Sequence, residues 1–357
     1  MRYKEDWDKA KERLTAFWHQ EIVDRCCAAI YVYENGAKAP ERIVPGTDEE
    51  RMRYWTDPEQ IIQRNRRLME NTYYAGEAFP CLFLDLGAGG HAGFFKGEKH
   101  YFGDSMWFFP SLQDPDDLEF DENSFLYKKT LELARAFVED SKGDYMVSMP
   151  DSTGNADALS HLMGPDELLP AMIEEPEWVE DMFDTYLDRS IQHFNMIWDA
   201  GYRFDSIFWY DDMGYKNTPF FSNEMYRSLL QKYHKKAVAW AHDHGIYARL
   251  HSCGDIMPLL PDIMDTGIDA LNPIEIKAGM DVFKIKQDYG DRLVLHGGIN
   301  AVLWDDKEAI VEAIRQAVPV LKENGGYIFA SDHSIPNSVS LENMRSIINT
   351  VKEVGKY

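Results

Sequence analysis

A histidine and a cysteine separated by one residue form the most chemically informative pair in this sequence. His251 and Cys253 follow a short run, residues 246–250, that has the composition of a β-strand. Because side chains alternate between the two faces of a strand, residues i and i+2 point to the same side. An imidazole beside a thiolate suits Zn²⁺. The pair therefore predicts two ligands of a zinc site; the alternative is a buried cysteine beside a hydrogen-bonded histidine.

Other polar residues follow predicted strands and are expected to converge on the same site. Asp211 and Asp212 end one strand, and we expect one of them to act as an acid, a base or a ligand-orienting group. Asp85 and His333, each near the end of another strand, complete the predicted acid/base set. A loop cap is the alternative role for the aspartate pair. The residues predicted to line the substrate site are Glu34, His91, Trp107, Asn155, Tyr210 and Asn272.

Short apolar segments alternate with longer amphipathic ones along the chain. Nearly continuous apolar runs are typical of strands buried on both faces of a parallel sheet. Eight such strands separated by helices predict an α/β fold, a (β/α)₈ TIM-type barrel that forms one domain over residues 1–357. An open doubly wound sheet is the alternative. The predicted strands are residues 26–33, 81–86, 145–149, 205–210, 246–252, 269–272, 292–297 and 326–330.

Two segments fall outside this alternation. Residues 1–22 are predicted to form an N-terminal helical extension that caps the bottom of the barrel. Residues 87–122 follow the second predicted strand and are rich first in glycine and then in aromatic residues. Because a long loop inside a compact domain is usually functional, we predict a lid-like insertion over the barrel mouth. A surface hairpin packed on its own aromatic side chains is the alternative.

The charge of the chain argues against two classes of partner. Its 357 residues carry a formal net charge of −24 at pH 7. Binding to nucleic acids and docking to anionic membranes both depend on basic surfaces, so neither is expected. The first residues are charged rather than apolar, no apolar run is long enough to span a bilayer, and the cysteines lack the spacing of a disulfide framework. These features predict a cytoplasmic protein with reduced thiols.

Several stretches of the chain carry a family resemblance. The stretch of residues 251–300 that begins HSCGDIMPLLPDIMDTG and the later stretch GGYIFASDHSIPNSVSLENM carry most of it. The stretches DSTGNADALSHLMGPDELL and YDDMGYKNTPFF fit the same pattern. From about residue 144 onward the chain resembles the uroporphyrinogen decarboxylase superfamily. This resemblance implies a (β/α)₈ barrel.

Within that superfamily, the chain looks closer to the zinc-dependent methyltransferases that work with corrinoid proteins and coenzyme M. True decarboxylases resemble one another in an arginine-rich segment after the first strand, whereas residues 31–38 of this chain contain no arginine. The implied function is transfer of a methyl group between a small O-, N- or S-methyl substrate and a separate corrinoid protein, with zinc activating the heteroatom.

The resemblance also implies a set of metal ligands. The methyltransferases hold zinc with a His-x-Cys pair after strand five and a cysteine after strand eight. His251 and Cys253 match the pair, whereas the later position of this chain carries His333 and no cysteine. Imidazole can replace thiolate at zinc, and Glu275 lies near the acidic ligand of the family. The implied set is therefore His251, Cys253, Glu275 and His333.

Two other functions stay open at the level of the sequence. One is a metal-independent decarboxylase or other lyase that acts on a smaller acid, with Asp85, Asp211 and His333 as its acid/base set. The other is a non-catalytic barrel that binds a tetrapyrrole or a corrinoid. Activity without metal would indicate the first function, and tight pigment binding without turnover would indicate the second.

Overall fold

A mostly parallel β-sheet surrounded by helices organises the chain. The computed structural model describes residues 1–42, 44–84, 86–87, 90–111, 118–149 and 152–357. None of the helices within these ranges is long and apolar enough to cross a membrane. The strands are β1 (Cys27–Val32), β2 (Tyr73–Gly76), β3 (Cys81–Leu82), β4 (His100–Phe102), β5 (Met106–Phe108), β6 (Met146–Val147), β7 (Ser206–Tyr210), β8 (Tyr247–His251), β9 (Ala270–Asn272), β10 (Val294–Ile299) and β11 (Tyr327–Ser331).

The helices lie between the strands in the order that the sequence predicts. A single π-helical turn at Tyr226–Leu230 joins two of them, α8 and α9. The helices are α1 (Trp7–Trp18), α2 (Asp48–Thr56), α3 (Pro58–Glu70), α4 (Phe125–Ser141), α5 (Asn155–Met163), α6 (Pro165–Glu174), α7 (Pro176–Asp199), α8 (Asn223–Met225), α9 (Gln231–Asp243), α10 (Leu260–Met264), α11 (Val282–Tyr289), α12 (Lys307–Leu321) and α13 (Leu341–Val354).

Seven strands form one sheet in the order β2-β1-β11-β10-β9-β8-β7, and every pair is parallel except β2 with β1. A second parallel pair joins β3 to β6, and a bridge between Thr153 and Tyr210 links the segment after β6 to β7. Each of the eight predicted strands therefore overlaps an observed strand, and β10 and β11 extend one or two residues past their predicted ends. Among the described residues no pairing joins β1 to β3. The α/β fold with a parallel sheet is confirmed, whereas closure into a barrel is not shown.

Helix α1 covers the end of the sheet at which the parallel strands begin. Phe17 packs with Cys27, Ala270, Val294 and Ile328, which lie at or near the starts of four neighbouring strands. The helix is shorter than the predicted extension of 22 residues and covers only Trp7–Trp18. Helix α1 therefore packs against the N-terminal ends of four strands of the sheet.

The described part of residues 87–122 forms an antiparallel hairpin of β4 and β5. Met106 and Phe94 are buried, whereas Tyr101 and Trp107 are each 47% exposed. The indole of Trp107 donates a hydrogen bond to Asp104 Oδ1 at 3.1 Å. The segment therefore includes a hairpin with both buried and exposed aromatic side chains, and both the lid and the surface hairpin stay predictions.

Candidate metal centre

Two loops that leave neighbouring strands bring Asp212, His251 and Cys253 together. Strands β7 and β8 are adjacent and parallel, so the loops that follow them start side by side. Gly214 and Gly254 allow these loops to touch, because a Cβ added to Gly254 would lie 2.2 Å from the carbonyl carbon of Gly214. Gly254 also has a φ of +78°, which side chains with a Cβ rarely adopt. The two glycines therefore determine how closely Asp212 approaches Cys253.

The three side chains offer one nitrogen, one sulfur and one oxygen at close spacing. His251 Nε2 lies 3.4 Å from Cys253 Sγ and 3.8 Å from Asp212 Oδ1, and the candidate ligand atoms all lie within 4.8 Å of one another. Zinc bond lengths and tetrahedral angles place two ligand atoms about 3.4–3.6 Å apart. The observed spacing is close to this value, so the three side chains fit a zinc ion.

The cluster of Asp212, His251 and Cys253 is open on one side. The side chains of Asp212 and His251 are 40% and 22% exposed. Structural zinc sites are closed by four protein ligands, whereas catalytic sites use three and leave one position for water or substrate. Three candidate ligands with a solvent-facing side match the catalytic arrangement.

Asn272 sets the orientation of the His251 ring. Asn272 Nδ2 donates to the carbonyl oxygen of His296 at 3.1 Å, so its amide oxygen faces His251 Nδ1 at 2.9 Å. His251 therefore donates from Nδ1 and presents the lone pair of Nε2 toward Cys253. A hydrogen bond from the other ring nitrogen to an oxygen is the usual support of a metal-binding histidine.

We expect Asn272→Ala to weaken zinc binding by about 10- to 100-fold, because the ring of His251 loses the acceptor that holds its Nδ1 proton. Competition with a chromogenic chelator measures the affinity. Asn65→Ala is the control, since Asn65 donates only to Ile61 within its own helix. Equal zinc affinity in Asn272→Ala and in the wild type would contradict the orienting role.

The surroundings of Cys253 keep its thiol protonated in the absence of a cation. Burial raises the pKa of Cys253 to about 12, and the negative charges of Asp212 and Glu275 act in the same direction. A protonated thiol is a weak nucleophile, so this environment disfavours covalent catalysis by the free side chain. A bound cation would reverse the electrostatic balance, because coordination deprotonates a thiol.

The pH dependence of zinc binding follows from this raised pKa. Below its pKa the thiol of Cys253 carries a proton that must leave on coordination, so zinc affinity rises with pH. We expect an increase of about tenfold per pH unit between pH 7 and pH 9. Chelator competition at several pH values measures the slope. In Cys253→Asp the replacing carboxylate is already ionised, so a slope as steep as that of the wild type would contradict the assignment.

Asp211 faces away from the cluster, although it is adjacent to Asp212 in sequence. It is fully buried, its Oδ2 lies 2.7 Å from His234 Nε2, and its Oδ1 accepts the Asp157 N–H at 2.9 Å. His234 Nδ1 in turn lies 2.9 Å from the hydroxyl of Tyr226. Asp211 therefore ties the end of β7 to α5 and α9, and Asp212 is the member of the pair that lies at the cluster.

Two residues of the implied ligand set lie outside the cluster. Glu275 is buried beside it, where Oε2 accepts the Gly254 N–H at 2.7 Å and Oε1 pairs with Lys277 at 3.1 Å. Both carboxylate oxygens thus have partners of their own. His333 is exposed at the surface. Among the described residues, the group of candidate ligand atoms consists of Asp212, His251 and Cys253. Asp212 thus takes the ligand position that was expected for Glu275 or His333.

Two of the predicted substrate-site residues lie beside the cluster. The ring of Tyr210 lies 5.1 Å from that of His251, and Asn272 binds the same histidine directly. Glu34 and Trp107 are exposed, and no contact described here joins them to the cluster. Tyr210 is therefore the predicted substrate-site residue whose ring lies beside His251 and is partly exposed to solvent.

Two further predicted residues, Asn155 and His91, lie away from the cluster. Asn155 is fully buried and donates to the carbonyl oxygen of Phe183 at 2.8 Å, so it supports the packing of α5 on α7. His91 is buried and its ring stacks on that of His161 at 5.7 Å. Asp85 lies outside the described residues.

Arg249 and His296 lie on the same side of the sheet as His251, although neither was predicted from the sequence to belong to the site. Arg249 Nη2 donates to His296 Nδ1 at 2.8 Å. Burial, with the positive charge of Arg249, lowers the pKa of His296 to about 3, so its neutral ring accepts this bond. The sequence could have indicated Arg249, because it precedes His251 by two residues on β8 and alternation places both side chains on the same face.

Comparison with known proteins gives a family and a shared fold. The family model for uroporphyrinogen decarboxylase (URO-D) matches residues 111–354. The uroporphyrinogen decarboxylase of Chloroherpeton thalassium is 28% identical over 142 residues, which are 38% of this chain and 39% of that protein. That of Shewanella piezotolerans is 26% identical over 190 residues, 52% of this chain and 51% of that protein. The matched stretch thus spans about half or less of these curated relatives.

A solved structure is similar over nearly the whole chain. A methyltransferase from Methanosarcina mazei aligns with a TM-score of 0.64 and 19% identity, covering 96% of this chain and 98% of that one. At this identity the likeness shows the fold alone. The family model, in contrast, matches more than half of the sequence. The chain belongs to the uroporphyrinogen decarboxylase family.

Proposed function

We propose that this chain is a zinc-dependent methyltransferase that moves a methyl group between a small O-, N- or S-methyl substrate and a corrinoid held by a separate protein. The observation that carries the proposal is the open cluster of Asp212, His251 and Cys253. The fold shared with a methyltransferase supports it. We propose further that the strands close into a (β/α)₈ barrel with this cluster at its mouth.

Some residues of the site would bind the metal, and others orient the metal-binding side chains. Asp212, His251 and Cys253 would hold zinc, which supplies a Lewis acid for the heteroatom of the substrate. Asn272 accepts a hydrogen bond from His251 Nδ1 and so favours the tautomer with its lone pair on Nε2, and the Cys253 N–H donates to Asp212 Oδ1 at 2.8 Å. The corrinoid protein has to approach from the exposed side, because the methyl group passes directly between the two reactants.

Decarboxylation is the second candidate, and the name of the curated relatives favours it. Its acid/base set would be Asp85, Asp211 and His333. In the structure Asp211 is buried against His234, whereas His333 is exposed, so these two side chains do not meet. Residues 31–38 also carry Glu34 and no arginine, which suits a substrate with many carboxylates poorly. The methyltransferase therefore stands first.

The test compares zinc-loaded and metal-stripped protein under anaerobic, reducing conditions. Each form is mixed with cob(I)alamin and a panel of methoxy, methylamino and methylthio compounds, and methylcobalamin formation is followed by its absorbance. We expect methyl transfer only with the zinc-loaded form. Equal transfer by the stripped form would overturn the role of zinc, and release of CO₂ from an organic acid by the stripped form would favour the decarboxylase.

A further inference from the structure

A cation lies on the same side of the sheet as the cluster without a carboxylate partner. Arg249 precedes His251 by two residues on β8, so both side chains point to one face. The described hydrogen bond of its guanidinium goes to the ring nitrogen His296 Nδ1, which is not a carboxylate. No aspartate or glutamate of the described residues forms an ion pair with it. An arginine in this position is unusual, because buried charges are normally paired.

Aromatic rings surround this guanidinium. Its central carbon lies 4.3 Å from the centre of the Phe208 ring and 5.9 Å from that of Trp18. Such faces compensate part of the cost of burying a cation. An arginine guanidinium keeps its proton in proteins, so the group is positively charged at neutral pH. The site therefore keeps a positive charge whose remaining N–H donors are available to an anion.

The position is not sealed from solvent, because Arg249 itself is only partly buried. Tyr31 and Tyr210, which point to the same face as Arg249, are 40% and 38% exposed. The rings of Phe208 and Tyr210 lie 4.6 Å apart and form a wall beside Arg249 and His251. A strand rise of about 3.3 Å per residue places the Cα atoms of Arg249 and His251 about 7 Å apart, roughly the length of one substituted aromatic ring.

We propose that Arg249 binds a carboxylate of the substrate, and that the substrate is a small aromatic acid with its heteroatom at the cluster. A guanidinium presents a planar fork of N–H donors that matches a carboxylate. The flat ring of such a substrate packs against Phe208 and Tyr210. The position of the heteroatom rests on the proposed methyltransferase function, whereas anion binding at Arg249 does not.

The experiment uses benzoate as the probe and benzamide as its neutral counterpart, with zinc-free protein and calorimetry. We expect the wild type to bind benzoate at least ten times more tightly than benzamide, Arg249→Met to lose this preference, and Arg249→Lys to keep part of it. Arg345→Met changes an exposed arginine on α13 and is expected to behave as the wild type. A thermal melt confirms that each variant is folded.

The outcomes separate this inference from the proposed function. Absence of a benzoate preference in the wild type overturns the inference even if Arg249→Met does not fold. Unchanged benzoate binding in a folded Arg249→Met variant overturns it as well. A preference that depends on Arg249 supports the carboxylate site even if no methyl transfer is found, because zinc and corrinoid are absent from the measurement. If methyl transfer occurred only with uncharged methyl donors, the carboxylate site would be overturned, whereas the proposed methyltransferase function would be retained.

Discussion

Replacement of Cys253 by alanine is expected to remove bound zinc and to abolish methyl transfer while the protein stays folded. Cys253 supplies the only sulfur of the cluster, 3.4 Å from His251 Nε2, and without it the candidate ligands are reduced to His251 and Asp212. Two side chains do not hold zinc firmly, so we expect zinc content to fall from about one to below about 0.1 per chain and activity to fall at least about 1,000-fold.

Mass spectrometry of protein purified without a histidine tag measures the zinc content. Cys81→Ala is the matched control, because Cys81 is also partly buried and burial likewise raises its pKa to about 12. The control is expected to keep its zinc. A wild type that takes up no zinc after reconstitution would contradict the proposed metal centre and shift attention to decarboxylation. Full methyl-transfer activity in Cys253→Ala would also contradict the proposed metal centre.

The parallel strands were predictable because each leaves a local signal. Strands such as β10 and β11 are nearly continuous apolar runs, and the amphipathic helices between them fix the alternation. Strand β2 was not predicted, because its four residues end in a glycine, which is unfavourable in strands, and because its antiparallel pairing with β1 depends on tertiary contacts. Closure of the sheet into a barrel also depends on pairing between strands that are distant in the sequence, so local patterns do not predict it.

The candidate site was predictable only where the relevant geometry is local. His251 and Cys253 share a face because strand alternation continues just past the end of β8. Which of Asp211 and Asp212 faces the site depends on the direction in which the chain leaves β7. In the structure Asp211 pairs with His234 on α9, so Asp212 faces the cluster. Glu275 was expected as a ligand, but its carboxylate meets the Gly254 N–H, a contact across 21 positions of sequence.

Removal of the Asp211 side chain is expected to cost stability rather than metal affinity. Asp211 and His234 are 0% and 3% exposed, and Asp211 also accepts the Asp157 N–H in the first turn of α5. Asp211→Ala removes the carboxylate that faces the buried His234 Nε2, and loss of one member of a buried pair costs about 3–5 kcal/mol. The free energy of unfolding, measured by urea denaturation and circular dichroism, is expected to fall by this amount.

Asp188→Ala provides the matched control, because Asp188 also bonds a basic residue of α9, Lys236, at 2.5 Å, but on the surface. Exposed pairs contribute about 0–1 kcal/mol, so this variant is expected to unfold close to the wild type. Folded Asp211→Ala is expected to bind zinc as the wild type does, since Asp211 faces away from His251 and Cys253. Cys253→Ala shows the opposite combination, lost zinc with retained stability. If Asp211→Ala instead lost zinc and kept its stability, Asp211 would have to be placed at the metal centre.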